Sequence, residues 1–114
     1  MRKNCREAMI AWTSFKTKKS ANSIWTHDGV LYSYGTALAV GRYDSIVHKR
    51  IFYLNLTKYS VTTSVHQSAI YVALRRAYPD AIFVIFRDLP FGVQDLKSLY
   101  PSDEYNYTIE ERVA

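Results

Sequence analysis

Ser64-Val65-His66-Gln67-Ser68-Ala69-Ile70-Tyr71-Val72-Ala73-Leu74-Arg75-Arg76-Ala77-Tyr78-Pro79-Asp80-Ala81-Ile82-Phe83-Val84-Ile85-Phe86 carries the two clearest structural signals in the chain. Ser64 and Gln67 stand at capping-box spacing, in which a hydroxyl and an amide each satisfy a free backbone N–H at a helix start. Behind them Val65, Ala69, Val72, Ala73 and Ala77, with Ile70 and Leu74, recur at helical spacing and form an apolar face. Arg75 and Arg76 suit the negative end of the helix dipole, and Pro79 closes the segment. The spacing therefore predicts one main helix near residues 65–78. The run from Ala81 to Phe86 is continuously apolar and strand-sized, the pattern of a buried strand.

Upstream, Ile24-Trp25-Thr26 and Val30-Leu31-Tyr32-Ser33-Tyr34 flank His27-Asp28-Gly29, and an Asp-Gly pair supplies the positive φ that a tight hairpin requires. Gly35 interrupts before Thr36–Val40 and predicts a bend or bulge there. Arg50–Leu56 is rich in aromatic and branched residues and reads as a further strand. Short connections favour neighbours in sequence becoming neighbours in space, so these runs predict an antiparallel meander of about four to five strands. The fold class is α+β, a sheet packed against one main helix. Toward the N-terminus, Asn4–Phe15 fits a short helix or a first strand, with strand preferred for Met9–Phe15, and Lys16–Asn22 reads as a basic loop. Toward the C-terminus, Asp95–Leu99 suggests a short helix, and Ser102–Ala114 either a strand covering a sheet edge or a tail.

With 114 residues, 48% hydrophobic and 22% charged, the chain has the composition of an ordinary globular protein and the length of a single domain, 1–114. No apolar run approaches the roughly 18 residues of a membrane span. Met1-Arg2-Lys3 is not followed by the apolar segment of a secretory signal, and the lone Cys5 can form no disulfide within the chain; both point to a reducing cytoplasm. The net charge of +5 is unevenly placed: residues 1–58 hold ten Lys or Arg against Glu7, Asp28 and Asp44, whereas residues 59–114 hold five against seven acids. Arg2, Lys3, Arg6, Lys16, Lys18 and Lys19 crowd residues 1–20, a composition suited to meeting phosphate.

Two blocks carry a resemblance. One is Asp28-Gly29-Val30-Leu31-Tyr32-Ser33-Tyr34-Gly35-Thr36-Ala37-Leu38-Ala39; the other is Asn55-Leu56-Thr57-Lys58-Tyr59-Ser60-Val61-Thr62-Thr63-Ser64-Val65-His66-Gln67. The stretch Trp25–Leu74 that contains them resembles a small domain of uncharacterised function found mainly in bacteriophage proteins. The resemblance implies a viral origin, with the host cytoplasm as the place of action, and brings no assigned chemistry.

The residues offer two candidate binding features and no recognisable catalytic one. Thr62, Thr63, Ser64, His66 and Gln67 gather hydroxyls and an imidazole at a helix start, where free N–H groups and the positive dipole end favour an anion such as phosphate. Helix capping explains the same residues without a ligand, but one cap needs one hydroxyl. The second feature is a basic, aromatic surface: Lys16, Lys18, Lys19, Arg42, Lys49 and Arg50 for charge, with Tyr32, Tyr34 and Tyr53 as stacking faces. Nucleophilic catalysis needs a partnered base, and His27, His48 and His66 sit in no such motif. They also lack metal-ligand spacing, and the four glycines form no phosphate loop. No cofactor or metal is implied. The expected function is non-enzymatic binding of a nucleic acid or nucleotide, or alternatively direct inhibition of a host defence or transcription protein; self-association stays open.

Overall fold

The computed structural model describes residues 24–27, 29–101 and 104–111. The strand expected at Met9–Phe15 and the basic segment with Lys16, Lys18 and Lys19 lie outside the described residues. Among the described residues six strands form one sheet in chain order: β1 (Ile24–His27), β2 (Val30–Ser33), β3 (Thr36–Asp44), β4 (Lys49–Asn55), β5 (Ile82–Phe86) and β6 (Tyr107–Glu111). The helix α1 (Val61–Ala77) connects β4 to β5. No described helix is long and apolar enough to cross a membrane.

The α+β class and the antiparallel meander are both present, the meander running from β1 through β4. The departure is at β5, which pairs parallel to β4, with Ile51 opposite Ile82 and Asn55 opposite Phe86. A parallel pair cannot be closed by a tight turn, and the helix supplies the long crossover. β6 then returns antiparallel along β5, making the segment after Ser102 an edge strand.

Gly29 sits at φ 77 between β1 and β2, as the Asp-Gly signal predicts. Of the bend or bulge expected at Gly35, the bend is what forms. Tyr34 at φ 49 and Gly35 at φ 78 form a two-residue turn between Ser33 and Thr36, the primed hairpin geometry whose twist matches the strands. The bulge lies deeper, where Leu31 faces Ala39 and Tyr32 faces Ala37, leaving Leu38 as the extra residue.

The helix begins earlier than the Ser64–Gln67 spacing suggests. Ser60 is the N-cap: its Oγ accepts from the Thr63 N–H at 3.1 Å and donates to Thr63 Oγ1 at 3.1 Å. Ser60 wins because it offers the same hydroxyl one turn upstream, and Thr63 occupies the third helical position where a capping box carries its second polar group. Ser64 and Gln67 are consequently helical. At the other end the Tyr78 N–H bonds to Leu74 O at 2.8 Å, with Arg75 and Arg76 in the last turn.

Strand alternation sorts the core onto two faces. Phe52 and Leu54 of β4 join Leu31, Ala39, Phe83 and Ile85 beneath Ile70 and Leu74 of α1. Ile51 and Tyr53 turn the other way with Tyr32, Val40, Val84 and Phe86, under Leu89 and Leu96 from the segment after β5. β4 and β5 are thus covered on both sides, which is why β5 reads as an unbroken apolar run. Each fully buried Leu or Phe here contributes about 1.5–3 kcal/mol.

Gly41 faces Phe52 across β3 and β4, and a Cβ there would lie 2.6 Å from the Phe52 ring. That ring is locked between Phe83 and Tyr78, at centroid distances of 5.7 and 5.2 Å, so it has no room to yield. Gly41→Val is expected to destabilise the fold by about 1–3 kcal/mol through overpacking; urea unfolding should show a lower midpoint with an unchanged slope.

Candidate functional site

The parallel β4–β5 pair brings the carboxyl ends of both strands, the start of α1 and the Tyr34–Gly35 turn to one end of the sheet. A buried polar network stitches them together. Asn55, fully buried, donates to Ala37 O at 3.1 Å and to the Tyr59 hydroxyl at 3.0 Å, while its Oδ1 accepts from the Thr57 N–H at 3.1 Å. The Tyr59 hydroxyl donates to Leu89 O at 3.0 Å, and Thr57 Oγ1 accepts from the Leu89 N–H at 2.9 Å. Thr36 Oγ1 accepts from Gly92 N–H at 2.9 Å, so the 87–94 segment is anchored across the strand ends.

This network absorbs most of the polar string that marks the helix start in the sequence. Thr63 is buried as the second member of the cap. Gln67 is buried and donates to Asn55 O at 2.9 Å and Thr57 O at 2.7 Å, holding the chain as it leaves β4. His66 is buried with its Nδ1 2.9 Å from Ser33 Oγ. That serine–imidazole pair has the reach of a nucleophile and base, but Ser33 is fully buried within the interface between sheet and helix, where no substrate reaches it. Thr62 is exposed and Ser64 half-buried, on the outside of the first turn.

Thr62 opens onto a cleft of about 580 Å³ whose other walls are Tyr34, Lys58, Tyr59, Ser60, Thr63 and Phe91. Tyr34 is 50% exposed and Phe91 67% exposed. Phe91 meets the Tyr59 ring edge-on at 5.7 Å, and Tyr59 is itself fixed by the network below. The amides of Val61 and Thr62, first in the helix, have no helical acceptor behind them and bring partial positive charge to the same place as Lys58. The cleft joins aromatic faces, a cation and amide donors.

The expected basic, aromatic surface is divided. Tyr32 and Tyr53 are core residues, 8% and 3% exposed, and offer no stacking face, because β-strand alternation turns them under Leu89 and Leu96. Tyr53 instead accepts from Arg42 Nε at 2.9 Å. Arg42, Lys49 and Arg50 lie at the far end of the β3–β4 hairpin, because Arg42 faces Ile51, Tyr43 faces Arg50 and Asp44 faces Lys49. There Arg42 meets Asp44 at 3.4 Å, Lys49 meets Glu111 at 3.0 Å, and Arg50 lies 5.3 Å from the Tyr78 ring centre. Of the residues named from sequence, Tyr34, Thr62 and Thr63 line the cleft. Lys58, Tyr59 and Phe91 join them; the first two stand inside the second resemblance block, and Phe91, between Pro90 and Gly92, is an aromatic residue in a turn sequence.

Among the described residues no group of three or more His, Cys, Asp or Glu comes close enough to hold a metal ion. Comparison with protein-family models, curated proteins and solved structures gives no match.

Burial holds the His66 pKa below its ordinary value of 6.5, so the folded protein keeps the ring neutral. The unfolded chain takes up a proton there as pH falls through about 6.5 and the folded chain does not until lower pH, so stability is full above that window and declines below it. Denaturant titrations between about pH 7 and pH 5 should show this decline, and His66→Asn, which keeps a polar partner for Ser33, should flatten it.

Proposed function

We propose that this is a bacteriophage-encoded, non-enzymatic binding protein that engages a phosphate-bearing partner, a nucleic acid or a nucleotide, at the cleft between the Tyr34 turn and the start of α1. The observation that carries this reading is Tyr34. A non-glycine residue at φ 49 costs about 1–2 kcal/mol, and asparagine or glycine would occupy this turn position more easily. The ring is half exposed, so core packing does not offset that cost. What the backbone achieves is to hold an aromatic ring on a cleft that the exposed ring of Phe91, propped by Tyr59, also lines. A nucleobase stacks on such faces with about 1–3 kcal/mol per base, and Lys58 with the helix-start amides suits the attached phosphate.

Charge supports a division of labour. Among the described residues eight Lys or Arg stand against seven Asp or Glu, so the sheet and helix are nearly neutral. The excess belongs to residues 1–20, where six basic residues stand against Glu7. That segment supplies the salt-sensitive attraction to phosphate, and the cleft supplies local recognition. In a phage protein such binding serves host takeover or counter-defence in the host cytoplasm.

A second reading, direct inhibition of a host protein, draws on the tip of the β3–β4 hairpin. Ile46 is 87% and Val47 49% exposed there, and Asp44 Oδ1 fixes both by accepting their N–H groups at 2.8 and 3.3 Å. A rigid exposed apolar tip suits a protein pocket.

Fluorescence anisotropy with a labelled single-stranded oligonucleotide at low salt separates the two. Tyr34→Ala and Phe91→Ala are each expected to weaken binding by about 5- to 100-fold, and Lys58→Glu to weaken it while reducing the salt slope. Absence of binding to any DNA, RNA or nucleotide at low ionic strength would discard the phosphate reading. Tyr34→Asn should lose affinity in the same way while leaving the fold as stable or up to about 1 kcal/mol more so in thermal unfolding. On the inhibitor reading, Ile46→Asp abolishes capture of a nuclease-resistant host partner and leaves oligonucleotide binding alone.

A further inference from the structure

Among the described residues β6 is an edge strand of the sheet, and it lacks the devices that usually keep edges apart. Its pairing with β5 runs in unbroken register from Ile82–Glu111 to Phe86–Tyr107, with no bulge, and Tyr107–Glu111 contains neither proline nor lysine. Ile109 at its centre is 48% exposed and Tyr107 37% exposed. Proteins blunt such edges with charge, and Glu110 and Glu111 are the charges available. Both, however, are neutralised from within their own chain. Glu110 accepts from Arg75 at 2.9 Å and from the Tyr71 hydroxyl, and Glu111 pairs with Lys49 at 3.0 Å.

We infer that β6 is a homodimer interface, in which two copies pair antiparallel about a two-fold axis through Ile109 and continue the sheet from one subunit into the next. The register follows from the sequence of the strand. Centring the axis on Ile109 overlaps all five residues and sets Ile109 against Ile109, Thr108 against Glu110 and Tyr107 against Glu111. Opposed residues differ by an even number of positions, so every outward-facing backbone group meets an outward-facing one. Moving the axis by one residue toward the C-terminus opposes Glu110 to Glu110, and moving it the other way pushes part of the pairing beyond the strand.

The chosen register is also complementary in charge. Arg87 is exposed and donates to Thr108 Oγ1 at 3.2 Å, which places a guanidinium beside the position that the second copy's Glu110 would face. Two-fold symmetry makes this contact twice. Tyr107 is already braced, by Tyr100 at 5.0 Å and Phe86 at 6.1 Å between ring centres, so the strand needs no reorganisation to receive its partner.

Sedimentation equilibrium of the full chain across a wide concentration range tests the interface. The expected result is a concentration-dependent rise to twice 13.2 kDa. Ile109→Lys sets two like charges on the axis and should hold the mass at 13.2 kDa throughout, with unchanged far-ultraviolet circular dichroism. Arg87→Glu, at an exposed site outside the core, should weaken the dimer by setting a like charge beside the second copy's Glu110. In a Cys5→Ser background, Ile109→Cys should oxidise to a covalent dimer, because directly opposed residues bring their Cβ atoms within about 4.5–5.5 Å. A monomer at every concentration overturns the inference, as does a dimer that survives both Ile109→Lys and Arg87→Glu.

Discussion

The structure depends on the parallel pairing of β4 with β5. A meander alone would leave one face of a small sheet open to water, and its turns alone would never gather polar groups at one end. Placing β5 parallel to β4 forces the chain through a long crossover, and the crossover is α1, whose Ile70 and Leu74 close one core face. The segment that leaves β5 closes the other face with Leu89 and Leu96. Two central strands buried on both sides hold the remaining strands in register.

The same pairing creates a polar problem and its solution. Where β4 and β5 end together, backbone groups of three connections meet away from water, and each unpaired one would cost about 1–3 kcal/mol. Asn55, Thr57, Tyr59 and Gln67 satisfy them in a closed set. No buried side-chain nitrogen or oxygen among the described residues is left without a partner. Rigidity follows, and it is this rigidity that fixes Tyr59 behind Phe91 and the Tyr34 turn beside the helix start. Of the groups that preorganise the cleft, Tyr59 lines it and Asn55, Thr57 and Gln67 lie behind it.

The surfaces are thereby separated in space. The cleft lies at the end of the sheet where α1 begins, the β3–β4 hairpin projects from the opposite end, and β6 runs along an edge between them. Arg42, Lys49 and Arg50 are engaged by Asp44, Glu111 and Tyr78 near the hairpin. Among the described residues Lys58 is the one basic side chain that lines the cleft.

Much of the secondary structure was legible in the sequence because its causes are local. The Asp-Gly pair and Gly29's positive φ, the helical spacing of Ile70 and Leu74, the stop at Pro79 and the apolar run of β5 each arise from neighbours within a few residues. The helix start was displaced because Ser60 and Ser64 offer the same hydroxyl, and only the chain leaving β4 selects between them, by requiring Gln67 for its own carbonyls. The site was less legible for the same reason. Whether a tyrosine is a stacking face or a core residue depends on which side of a strand it occupies and what lies above it, so Tyr32 and Tyr53 went inward while Tyr34, one residue into a turn, stayed out. Phe91 belongs to the cleft because Thr36, Thr57 and Tyr59 hold its loop across the strand ends. The sequence by itself determined the elements, the class of fold and the charge of the chain's first segment; the tertiary structure decided which hydroxyls, rings and cations share a surface, since those depend on contacts between residues far apart in the chain.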